Sequence, residues 1–526
     1  MNSLNWLHAA RFRQAGVPTL VTGAEIGMPE WDTIPIVEAA FIATLLVEVF
    51  ETALELLQRT ELSKPSPPSV LLDVVSRVEQ QEKRDELRSS SDDNEDETDK
   101  NDSGTPGSPS KSDKDAGESL VERLTSGYGA ARAYALEKLS FGLASRSVDV
   151  AIFITYLSSG MLPLLWEAAA DLLAVVPYEP ISSMAQDEIP RSLVFLLLFQ
   201  LQSVLLSAPI SFFRQFVVEQ RHGFNKMTVG LWVTDKLKSF TLTMLFGGPI
   251  AALVIWTVLW AGKDFPNYLL GLLFVVQIVA QVLVPTVIMP CFNKFEPLED
   301  GPLKQRIETL AASLGFPLSK LSVMDGSKRS SHSNAFFMGL PGLPKRIVLF
   351  DTLLEQASND EIVAVLAHEL GHWKHNHTLA MQGLGLVLTY GQLWAFGKAM
   401  FFRPMYTAFG FADTPVAVGM LLFFTFAFTP INPILGFMLS AISRACEFDA
   451  DAFAAAQGGK DGSPSTRGSA MARHLQTCLV KLGVENKSAQ RSHWLYSAYH
   501  LTHPTLPERL SALQATTADA DSKKTQ

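Results

Sequence analysis

Charge is the first thing this 526-residue sequence is short of: 18% of residues are Asp, Glu, Lys or Arg, while 47% are hydrophobic. Soluble chains carry about a quarter charged residues, so many positions here have no water-facing duty. The mean hydropathy of +0.16 agrees, and a disordered chain is argued against. Cysteine is scarce too. Cys291, Cys446 and Cys478 show no CxxC spacing, so neither a disulfide framework nor a thiolate metal site is expected. A basic surface is missing. The net charge is −10, and residues 91–118 carry most of it, with ten acids against Lys100, Lys111 and Lys114. The rest is close to neutral, so nucleic acid is not an expected partner. The N-terminus also lacks a compact apolar core followed by a small-residue cleavage site, and no cleavable signal peptide is expected.

What the sequence has is long uncharged runs. Residues 192–213, 239–262, 265–293, 378–397 and 414–443 contain no Asp, Glu, Lys or Arg over 22, 24, 29, 20 and 30 positions. Each is long enough to cross a hydrocarbon core, which takes about 20 residues of helix. A sixth run, 150–166, is 17 long between Asp149 and Glu167. A seventh, 35–57, is apolar but contains Glu38, Glu48, Glu51 and Glu55. The last three share one helical face. Such a stripe must line a wet cavity or meet other helices, unless the span is shorter and its last turn lies among headgroups. The expected fold is therefore an all-α polytopic protein with about seven transmembrane helices, in contact with membrane lipid. The first helix is 35–57, the second to fifth lie in 150–293, and the sixth and seventh in 378–443.

Loop charges orient these spans. Arg214, Arg221, Lys226, Lys236 and Lys238 follow the run 192–213, whereas Lys263 stands alone after 239–262 and Lys398 and Arg403 follow 378–397. The basic loop belongs in the cytosol. Residues 1–34 then form a lumenal segment, and 58–149, 294–377 and 444–515 are cytosolic. Residues 86–118 are acidic, Ser-rich and nearly free of large apolar groups, which predicts disorder. The tail 516–526 is expected to be disordered and contains Lys523-Lys524, a dilysine pattern read as retrieval to the endoplasmic reticulum.

The sharpest chemical signal is HELGH, residues 368–372. Ser358 and Glu361 have capping-box spacing, and Ile362, Val365 and Leu366 supply an apolar face, so the motif is expected on a helix. His368 and His372 then stand one turn apart on one side, the separation at which two imidazoles bind one Zn²⁺. Glu369 lies beside them, placed to hold a water. With His375 and His377 close by, the plain alternative is a His-rich surface helix. Zinc with two histidines needs a third protein ligand and an open position for catalysis. The best candidate lies in CEFDADAFA, residues 446–454. There Glu447 and Asp451 are i and i+4 on one helical face, while Asp449 points elsewhere. Glu447 would complete the ligand set and Asp451 would hydrogen-bond a ligating imidazole. Otherwise these acids form a solvated helix face.

Residues 330–350 read as a strand, a Gly/Pro turn and a second strand, a small β-hairpin before a helix near Asp351. Its edge could take up an extended peptide by main-chain pairing, with Asn334 holding a substrate amide. His503 and Arg509, in HPTLPERL, could stabilise an oxyanion.

These segments, with RQFVVEQRHGFNK (214–226), MPCFNKFEPLEDGPLKQRIETLA (289–311), SSHSNAFFMG (330–339), RIVLFDTLLEQ (346–356) and VLAHELGHWKHNH (365–377), resemble the type 1 CaaX prenyl proteases, integral-membrane zinc endopeptidases of the endoplasmic reticulum. The resemblance implies a gluzincin-like zinc metalloprotease core. One Zn²⁺ per chain would be held by His368, His372 and Glu447, with Glu369 as catalytic base and Asp451 as a second functional acid. Asn334, His503 and Arg509 match positions that contact substrate or the reacting carbonyl. The resemblance also implies an internal chamber among the spans, and a prenylated CaaX protein or peptide as substrate, cut to release the last three residues. The acidic stretch 86–118 departs from the family pattern as an insertion. Two rival functions are a membrane quality-control metalloprotease without prenyl preference, and a zinc transporter. The transporter would need ionisable ligands within the spans, whereas His368 and His372 precede residue 378.

Overall fold

The computed structural model describes residues 36–92, 119–340, 342–457 and 467–522. Residues 1–34, expected to be lumenal, residues 93–118 of the acidic stretch and Lys523-Lys524 lie outside the described residues; contrary to the expected disorder, residues 86–92 continue the helix Ser69–Asp92 and residues 516–522 close the helix Leu506–Ser522.

The described chain is mostly helical, with one small sheet. Two helical runs are long and apolar enough to cross a membrane outright, Glu188–Glu219 and Val229–Phe292. The second is interrupted at Gly262–Asp264, and the helices on either side, Gly248–Ala261 and Phe265–Leu283, pack against each other. Two further spans are added if each of two bent helix pairs counts as one. In the first pair, Leu120–Ser158 meets Met161–Ala174 at 69°, because Gly160 takes a left-handed φ of 65° that only glycine adopts freely. The 150–166 run is thus broken rather than straight. In the second, Val416–Ala427 meets Asn432–Ala456 at 72°. Pro430 and Pro433 lie at that break, and proline cannot extend a helix on its N-terminal side without losing a hydrogen bond. Counting charges alone cannot see such breaks.

Two other expected spans are helical without passing the same test. Helix Ile36–Leu62 carries too many acids, and helix His377–Ala399 mixes glycine and polar residues into its apolar face. The acidic stripe of the first faces other helices. Arg146 reaches Glu55 at 2.6 Å, Glu51 at 3.4 Å and Glu48 at 3.8 Å. The Tyr499 hydroxyl donates to Glu51 at 2.7 Å. One guanidinium shared among three carboxylates ties Ile36–Leu62 to Leu120–Ser158, at a position where a carboxylate left unpaired would be costly. Elsewhere among the apolar helices, Phe195, Phe265, Phe396, Phe423 and Phe426 build a common core.

The expected hairpin is half of a larger sheet. Strands β1 (Phe295–Pro297), β2 (Leu318–Met324), β3 (Ala335–Met338) and β4 (Lys345–Phe350) are ordered β1-β2-β4-β3. β3 pairs antiparallel with β4, with Ala335 opposite Leu349, while β2 runs parallel to β4. This leaves β3 as an edge. Ile347 and Leu349 of β4 pack on Ile362, Leu366 and Leu370 of helix Asn359–Lys374, all fully buried. Burying a Leu or Ile side chain contributes about 1.5–3 kcal/mol, so this face fixes the helix against the sheet. Its opposite side is lined by Ala364 and Ala367, which meet Ala454 and Ala455 of helix Asn432–Ala456.

Candidate metal centre and active site

Helix Asn359–Lys374 begins with the expected capping box: the Ser358 hydroxyl accepts from the Glu361 N–H, and the Glu361 carboxylate accepts from the Ser358 N–H at 2.8 Å. Its alanine side lets helix Asn432–Ala456 approach closely, and Gly371 completes that contact. A Cβ at Gly371 would lie 3.1 Å from the Ala450 Cα and from the Phe453 ring. The small residue inside HELGH is therefore what allows Glu447 to reach the histidines.

Three side chains converge there. The Nε2 atoms of His368 and His372 lie 3.3 Å apart. His368 Nε2 is 3.5 Å from Glu447 Oε2, and His372 Nε2 is 3.4 Å from Glu447 Oε1. Tetrahedral ligands at zinc bond lengths of about 2.0–2.1 Å stand about 3.3–3.4 Å from one another. The donor set thus has the size of a zinc site. Its chemistry fits equally well. Glu447 Oε2 is buried with no well-directed hydrogen bond, its near neighbours are imidazole nitrogens, and the two histidine Nε2 atoms face each other, an arrangement a cation relieves.

Outer contacts orient the ligands. His368 Nδ1 lies 2.8 Å from Asp451 Oδ1. Asp451 in turn receives two bonds from Arg509, 2.8 Å from Nε and 2.6 Å from Nη2. Burial by itself would lower the His368 pKa, but the hydrogen bonds to Asp451 and Glu447 raise it to about 9. Asp451 and Glu447 thus favour positive charge at His368. Desolvation raises the Glu369 carboxyl above its ordinary value, opposed by His368 and His372. Among the described residues Glu369 makes no side-chain hydrogen bond, which leaves its oxygens available to a water.

Of the other candidates, His503 and Arg509 join the cluster and Asn334 does not. His503 Nδ1 comes within 3.0 Å of Glu447 Oε2 from a largely exposed side chain. Arg444, which drew no attention in the sequence, donates to the His503 carbonyl at 3.2 Å and pairs with Glu508 at 2.8 Å. It thereby holds the segment carrying both His503 and Arg509. Asn334 sits exposed at the start of β3, its Oδ1 accepting from the Ala335 N–H at 2.8 Å. A cavity of about 160 Å³ opens beside His372, walled by Phe337 and Gly339 at the β3 edge, Lys345, Trp373 and Gln281. Asp449 does leave the Glu447 face and, though exposed, it meets His375 and His377. Their near-adjacent spacing in the sequence was the only signal for that contact.

Comparison with known proteins agrees with this geometry. A family model described as the CAAX prenyl protease N-terminal, five membrane helices, matches residues 121–294, and Peptidase family M48 matches residues 297–517. A CAAX prenyl protease 1 homolog of Oryza sativa is 37% identical over 93% of this chain and 99% of its own. The chain belongs to the type 1 CaaX prenyl protease family. CAAX prenyl protease 1 of Saccharomyces cerevisiae is 41% identical over 73% of this chain and 84% of its own. The crystal structure of S. mikatae Ste24p superposes with a TM-score of 0.74 at 35% identity, covering 91% of this chain and 99% of that one. As a CaaX prenyl protease, the chain is a metalloendopeptidase and a multi-pass membrane protein, which sets aside the transporter reading.

Proposed function

We propose that this protease uses zinc to remove the C-terminal aaX tripeptide from prenylated CaaX proteins at the endoplasmic reticulum membrane. The observation that carries the reading is the convergence of His368, His372 and Glu447 at the mutual spacing of tetrahedral zinc ligands. Zinc held by these three would supply a Lewis acid able to activate a water near neutral pH and to polarise the scissile carbonyl. Glu369 takes the proton from the attacking water and returns it to the leaving amine. Asp451 accepts from His368 Nδ1 and so fixes which imidazole nitrogen faces the metal. Arg509 keeps Asp451 ionised and in place. The exposed ring of His503 donates to the developing oxyanion.

The β3 edge gives an extended peptide a strand to pair with, and Asn334 at its start holds a substrate amide. The names of the relatives support a prenylated substrate, and the apolar helices suit it, since each buried methylene is worth about 0.8 kcal/mol. About seven spans surround an internal chamber, with the metal centre, residues 58–149 and the C-terminus on the cytosolic side; the basic loop after residue 213 supports that orientation.

The test uses purified protein in lipid vesicles with a farnesylated CaaX peptide and its unmodified twin. Release of the tripeptide from the farnesylated peptide, lost with a chelator and regained with Zn²⁺, is the expected result. Equal cleavage of both peptides would replace the prenyl reading with a quality-control protease.

A further inference from the structure

We propose that His375, His377 and Asp449 form a second metal site, for a divalent cation of the zinc and copper class, whose occupation inhibits the peptidase. The site is assembled by three elements. Helix Asn359–Lys374 ends at His375, Asn376 turns the chain with a left-handed φ of 57°, and His377 opens helix His377–Ala399. Asn is among the few non-glycine residues that accept this conformation readily, and the turn brings the two imidazoles to a centroid distance of 5.6 Å. Asp449 arrives from helix Asn432–Ala456. Its Oδ2 lies 2.5 Å from His375 Nδ1 and 3.0 Å from His377 Nε2. One ligand atom from each residue falls within 4.8 Å of the others.

Two imidazole nitrogens and one carboxylate oxygen suit zinc or copper rather than magnesium or calcium. A solvated acid with two histidine neighbours is the ordinary reading of such a trio. What exceeds it is the aim: both rings point a nitrogen at the same carboxylate oxygen, from opposite sides of a turn. His375 and Asp449 are exposed, so water completes the coordination and the site is weaker than the buried one.

A hydrogen-bond path joins the two sites. His372 Nδ1 lies 3.0 Å from His377 Nδ1. Since His372 turns Nε2 toward His368 and Glu447, its proton sits on Nδ1 and is donated to His377 Nδ1. His377 then carries its own proton on Nε2, facing Asp449. A cation bound through His377 Nε2 takes the lone pair there, so that ring keeps its N–H only at Nδ1, facing the His372 N–H across 3.0 Å. Two N–H groups then oppose each other, and a ligand of the catalytic metal loses the partner that orients it. Metal binding at the site needs no part of the peptidase reading; only the inhibition rests on it.

The experiment is equilibrium dialysis of the full-length protein in detergent against ⁶⁵Zn²⁺, with peptidase activity measured on the same samples. Wild type takes up a second, weaker equivalent, and activity falls as it fills. In His375→Gln that equivalent binds more weakly by over about tenfold, exceeding the lower bound for losing an outer partner of a metal ligand, and activity persists at the same Zn²⁺. A wild type that binds one equivalent, or a His375→Gln that keeps the second, overturns the site. A second equivalent that is lost in His375→Gln yet never inhibits wild type overturns the coupling. If no preparation cleaves peptide, the assigned function fails while the dialysis still decides the site.

Discussion

Two trios of metal-type side chains lie side by side in this protein, built from the same parts. Each combines two histidines with one acid from helix Asn432–Ala456, yet their surroundings differ. In the inner trio His368 and Glu447 are buried at 6% and 4% exposure, and the ligand atoms stand 3.3–3.5 Å apart. Asp451 and Arg509 brace it from behind. In the outer trio the Asp449 side chain is 48% exposed and one oxygen serves both imidazoles. Ligand identity alone therefore does not set strength. On the proposed reading, burial, ligand spacing and a buttressed outer partner separate a tightly bound metal from a weakly bound one.

The largest expected effect tests the chemistry of the inner trio alone. Glu369→Gln should lower kcat by about 10²–10⁴, the usual contribution of a general base, while zinc content stays at the wild-type level; normal turnover would remove Glu369 from the mechanism. Next comes the brace. Asp451→Asn should weaken zinc affinity by about 10–100-fold, as loss of an outer partner does, measured by competition with a chromogenic chelator. An unchanged affinity would make the inner trio no better supported than the outer one.

The third prediction concerns how the two helices meet. Gly371→Ala places a methyl against the Ala450 backbone and Phe453, and should cost about 1–3 kcal/mol as overpacking does. It should lower Tm and speed zinc loss together. A lower Tm with zinc retention unchanged would separate packing from ligand geometry. The smallest effect is reserved for the outer trio. His375 touches neither Glu447 nor the inner histidines, so His375→Gln should leave kcat/KM in zinc-limited buffer within about twofold, the level expected of a change away from buried features.

The inner trio was readable where its cause is local. The HELGH spacing, the Ser358–Glu361 cap and the i, i+4 relation of Glu447 and Asp451 follow from helix periodicity, which a sequence displays directly. The meeting of the two helices does not: it depends on Gly371 and a seam of alanines, and alanine on a helix carries no pattern of its own. The role of Arg444 was hidden for the same reason, since its partners His503 and Glu508 lie in another segment. Asp449 was rightly placed off the Glu447 face, but periodicity alone does not say what that other face meets. In the apolar half, uncharged runs located the helices, while Gly160 and the Pro430 region bend them in ways that charge counting ignores. The sheet exceeded the expected hairpin because β1 is three residues long and β2, LSKLSVM, alternates too weakly to stand out.

The most direct test of the central claim is the metal content of the active protein, followed through chelation and reconstitution. Zinc near one tightly held equivalent per chain, with activity lost and regained in step with it, is what two imidazoles and Glu447 predict. Full activity in protein stripped of zinc and every other divalent metal would contradict it.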